Sequence, residues 1–88
     1  MKMKEERFLI KRGGFVIDFK NVDFITYTQN EDSPEKWLMK FHIGDKETRY
    51  MSKSTQDTLE VLENWASVRC GKNIFFEETD LKYNNERF

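Results

Sequence analysis

The chain has 88 residues, enough for one domain, and its net charge of −1 is made of 15 basic and 16 acidic side chains interleaved along it. That balance offers neither the basic face of a nucleic-acid binder nor the acidic excess of a mimic. A mean hydropathy of −0.82 alone would suggest disorder, but 15% aromatic residues give a core of few, large side chains.

The opening Met1–Arg7 carries charge with no apolar run after it, so no signal peptide is expected. Phe8-Leu-Ile10 and Phe15-Val-Ile-Asp-Phe19 flank Gly13-Gly14 and read as a hairpin with a two-residue turn. In that register Ile10 faces Ile17 and Phe8 faces Phe19, with Phe15 on the same core side. Val22–Thr28 carries apolar groups on both faces, as a central or bulged strand does. Gln29–Pro34 is a polar loop.

Glu35–Ile43 alternates strictly, and Gly44-Asp45 is a turn signal. Folding back pairs Phe41 with Thr48 and Met39 with Tyr50 on one face. The other face receives His42 opposite Glu47, Lys40 opposite Arg49 and Leu38 opposite Met51. Lys40 beside Arg49 calls for an acidic neighbour on the next strand. A helix is predicted over 55–70, with Ser54 or Thr55 as N-cap and Gly71 as the C-terminal stop. Gln56, Asp57, Glu60, Glu63, Asn64 and Ser67 form its polar arc, and the apolar arc is wider than one sheet contact needs. Residues 73–78 read as an edge strand, Asp80–Tyr83 is ambiguous, and 84–88 read as a frayed tail.

The fold expected is therefore α+β: one domain over 1–88, an antiparallel meander of four or five strands with one C-terminal amphipathic helix packed on it.

No catalytic or metal constellation emerges. His42 falls on an outer strand face opposite Glu47, without a nucleophile or orienting partner. One His and one Cys far apart are not a zinc set. Cys70 cannot form an internal disulfide, which favours a reducing compartment, and at a helix C-terminus it lacks the field that a nucleophilic thiolate needs. Gly13-Gly14 is followed by no helix start and is no phosphate loop.

Ile17-Asp-Phe-Lys-Asn-Val-Asp-Phe-Ile25, the strand Trp37–Ile43, the Gly44-Asp45 hairpin, the strand to Ser52 and the helix Thr55–Arg69 resemble small bacterial and phage domains of the pleckstrin-homology-like kind. The resemblance covers about half of the chain. It departs from that family in strand number, four or five against seven, and it implies a binding scaffold.

The expectation is a small cytoplasmic, non-enzymatic interaction protein of bacterial or phage type, without cofactor, acting by protein–protein binding or self-association. Neither nucleic acid nor membrane is expected as a partner. The binding candidates are Phe75, Phe76, Tyr83 and Arg69, and whether Phe75-Phe76 finishes the core or forms an interface stays open. The alternative is a small-ligand or nucleotide module with a pocket between helix and sheet, using Arg69 and Arg49.

Overall fold

A computed structural model describes residues 7–11 and 14–85, and the side chains of these except 11 and 82–85. The order is β1 (Phe8–Lys11), β2 (Phe15–Asp18), one 3-10 turn (Phe19–Asn21), β3 (Phe24–Gln29), β4 (Trp37–Ile43), β5 (Lys46–Met51), α1 (Thr55–Cys70) and α2 (Glu78–Asn85). The class is α+β, with antiparallel strands throughout. The expected single meander is instead two sheets, β1-β2 and β3-β4-β5.

The 3-10 turn causes the split. Asp18 accepts the Lys20 N–H at 3.0 Å and so caps the turn. The chain thus changes direction before β3 begins at Phe24, and Val22, fully buried, lies outside any strand. Arg7 holds Asp18 in place with two parallel bonds of 3.0 and 2.9 Å.

Gly44 sits at φ 60, as the first central residue of a II′ turn requires, and sets the β4–β5 register. His42 lies opposite Glu47, Lys40 opposite Arg49 and Leu38 opposite Met51, as the alternation predicts. The inner face of this sheet carries buried Trp37, Met39, Phe41 and Tyr50. Phe15 and Phe19 meet the Phe41 ring at centroid distances of 6.5 and 6.2 Å, so the N-terminal hairpin docks on that face. The body of α1 packs against the 3-10 turn and β4.

Helix α1 begins where its sequence says. Ser54 accepts the Asp57 N–H at 3.1 Å, and Asp57 reaches back to accept the Lys53 N–H at 2.9 Å. Behind this cap is a buried polar knot. Thr58 donates to Ser52 Oγ at 2.7 Å, and that same oxygen accepts the Trp37 N–H at 3.0 Å. The helix stops at Gly71, which takes the left-handed φ of 76 and returns its N–H to the Ser67 carbonyl.

Past Gly71 the expected edge strand over 73–78 does not form. The segment runs back along α1, and two polar side chains of the helix take its backbone. Ser67 accepts the Ile74 N–H at 3.0 Å and Glu63 accepts the Phe76 N–H at 2.9 Å. Glu63 and Ser67, read as part of a solvated arc, are 7% and 0% exposed. The ambiguous Asp80–Tyr83 belongs to a second helix, α2, whose Leu81 is fully buried. Of the expected frayed tail 84–88, residues 84 and 85 close α2, and 86–88 lie outside the described residues.

Candidate functional site

The largest difference from the sequence reading lies in the first hairpin. Its partners are Phe8↔Asp18, Leu9↔Ile17, Ile10↔Val16 and Lys11↔Phe15, one residue away from the expected register. The connection is therefore three residues, 12–14. Because side chains alternate, this shift turns β1 over while β2 keeps its expected faces. Leu9, Phe15 and Ile17 meet the core, while Phe8, Ile10 and Val16 face out at 53%, 72% and 65% exposure. Ile10 and Val16 are directly opposite each other, with Phe8 on the same face. The Arg7 guanidinium lies 5.5 Å from the Phe8 ring centre while it grips Asp18, which puts a bidentate ion pair beside the apolar surface. That guanidinium holds the Asp18 carboxyl below its usual value, and the Lys20 N–H adds to the effect.

The four residues expected to bind do not form one cluster. Phe75 is 66% exposed, whereas its neighbour Phe76 packs against the core and is fixed through Glu63. Arg69 does not turn to the carbonyls of its own helix; its Nη1 donates to the Lys20 carbonyl at 3.0 Å. One turn earlier the Trp65 indole donates to the Val22 carbonyl at 3.0 Å, so α1 holds the middle of the 3-10 turn and the residue that follows it. Tyr83 lies in α2, and its side chain is outside the described residues. Arg49, the other residue of the ligand-pocket reading, stands on the outer face of the three-stranded sheet, away from the face that α1 covers.

The outer sheet face has its own order. His42 stacks on Phe24, with ring centres 4.2 Å apart and planes within 7°. Thr26 Oγ1 lies 3.3 Å from His42 Nε2. Lys40 has Thr26 beside it on β3, not the acid expected there. Arg49 finds its acid on its own strand, Glu47 at 3.2 Å. Cys70 is exposed. Among the described residues no three His, Cys, Asp or Glu side chains gather as a metal site, and no helix is long and apolar enough to cross a membrane.

The missed surface had one signal in the sequence. Gly13-Gly14 is preceded by Arg12, and a three-residue loop turns over the faces of β1 while β2 keeps its own. No family model, characterised protein or solved structure matches the chain.

Proposed function

We propose that the chain is a small, non-enzymatic interaction domain that binds another protein through the outer face of its N-terminal hairpin. The observation that carries this reading is the outward row Phe8, Ile10 and Val16 beside the Arg7–Asp18 pair. An apolar patch with a polar rim is a usual mark of a binding surface. Three side chains so exposed offer on the order of 300–400 Å² of apolar surface, roughly half of the 800 Å² per partner in a standard interface. The occupant this suits is a short apolar segment of a partner protein, presenting two or three large side chains. Phe75 is a separate exposed anchor.

The test uses the full chain and an Ile10→Glu/Val16→Glu variant as affinity baits in extracts of the native host. Both sites are exposed, and the two acids facing each other across the hairpin should lower the melting temperature only slightly. A melting curve of each bait confirms that both are folded in the assay. A protein retained by the wild-type chain and lost with the variant is the expected result. Retention of the same proteins by both baits refutes the reading.

A further inference from the structure

The β5 strand is an outer strand of the three-stranded sheet. Ser52 donates its N–H to the Trp37 carbonyl at 2.8 Å, so those two form a hydrogen-bonded pair. By antiparallel alternation, Tyr50 and Thr48 are the next residues bonded to β4. Glu47, Arg49 and Met51 therefore point their N–H and C=O groups away from the sheet. Among the described residues no strand pairs with that edge. Their side chains share the outer face with Lys40 and His42.

We infer that this edge pairs with the β5 edge of a second copy of the chain, antiparallel about Thr48, to make a continuous six-stranded sheet. Only residues with outward backbone groups can bond across such a junction, which leaves few symmetric registers. One sets Arg49 against the partner's Arg49, like charge against like. The register centred on Thr48 sets Glu47 against the partner's Arg49 and Arg49 against the partner's Glu47. Thr48 then faces its own copy, a favourable pair in strands. Within one chain Glu47 and Arg49 already touch, but as an exposed pair, 35% and 66% open, which contributes little and exchanges readily. This edge lies on the three-stranded sheet and is separate from the outer face of the N-terminal hairpin.

Sedimentation equilibrium of the full chain tests it. A concentration-dependent monomer–dimer equilibrium is expected. Arg49→Glu sets two acids against two and should weaken the dimer by about tenfold or more. The double swap Glu47→Arg/Arg49→Glu restores opposite charges and should return the constant to within about threefold of wild type. Amide exchange on the unaltered chain gives a second readout that does not depend on any variant folding. The Glu47 and Arg49 amides should slow as concentration rises, while the Thr48 amide, bonded to β4, should not change. A chain that stays monomeric at the highest attainable concentration overturns the inference. So does a dimer indifferent to Arg49→Glu, or one that the double swap fails to restore. Edge amides protected only by another protein would assign the edge to that protein and overturn self-pairing.

Discussion

The carboxylate of Glu63 accepts the backbone N–H of Phe76 at 2.9 Å, while Glu63 itself is only 7% exposed. A buried acid on a helix here serves as a socket for the chain that follows. Glu63→Ala strands the Phe76 N–H beneath the surface and should cost about 1–3 kcal/mol. Glu63→Gln keeps an acceptor and should lose less. Urea unfolding of the three chains measures the difference.

The segment beyond Gly71 belongs to the core, because Phe76 packs on it and Leu81 is fully buried. A chain cut after Lys72 should unfold or aggregate. Leu81→Ala isolates one part of that loss and should cost about 2–5 kcal/mol. Circular-dichroism melting of the cut chain and of the point variant checks both outcomes; a cut chain that melts like the full one removes this part of the fold description.

Tyr50 donates its hydroxyl to Asp57 from beneath the helix. Burial, and then the Asp57 carboxylate, push its pKa above the ordinary tyrosine value. The folded form therefore favours the neutral phenol. This contribution is complete below the unfolded value of about 10 and is lost as pH rises above it. Stability should fall in alkaline solution, and Tyr50→Phe should flatten that fall. It should also cost about 1–3 kcal/mol at neutral pH through the lost bond to a carboxylate. Denaturant titrations of both chains across alkaline pH test the slope.

His42→Ala removes the ring stacked on Phe24. Exposed aromatic pairs contribute about 0.5–1.5 kcal/mol, so the variant should fold with a small loss of stability and keep its binding. Abolished binding would make His42 part of the interface.

The sequence was most informative where one physical signal dominates. The Gly44-Asp45 turn and the strict alternation on both sides leave one register that buries Met39, Phe41 and Tyr50 together. Ser54 and Gly71 are each the residue type that their cap geometry favours. The first hairpin was illegible because both of its faces are apolar: Phe8 and Ile10 alternate with Leu9, and Phe15 and Ile17 with Val16. Only loop length separates the two registers, and Arg12-Gly13-Gly14 permits either. The chain after α1 was misread for another reason. Glu63 and Ser67 look like solvent-facing residues until a backbone returns to bond them, and nothing local announces that return. Of the candidate site, Phe75 stands exposed while Phe76 packs against the core. The hairpin face was hidden by the register error, and Arg69 was spoken for by the Lys20 carbonyl.

Among the described residues, β1 and β2 share no backbone ladder with the other three strands. The hairpin is held by Leu9, Phe15 and Ile17 against the core, and by the Phe19 N–H on the Arg7 carbonyl at 2.7 Å. Ladders couple neighbouring residues tightly, whereas side-chain docking lets one piece part from another as a unit. The molecule thus has a built-in seam. A parting along that seam would bare the ring of Phe41, which Phe15 meets from the hairpin side. On the binding proposed above, a partner that clamps Ile10 and Val16 in their folded arrangement would also keep Phe41 out of water.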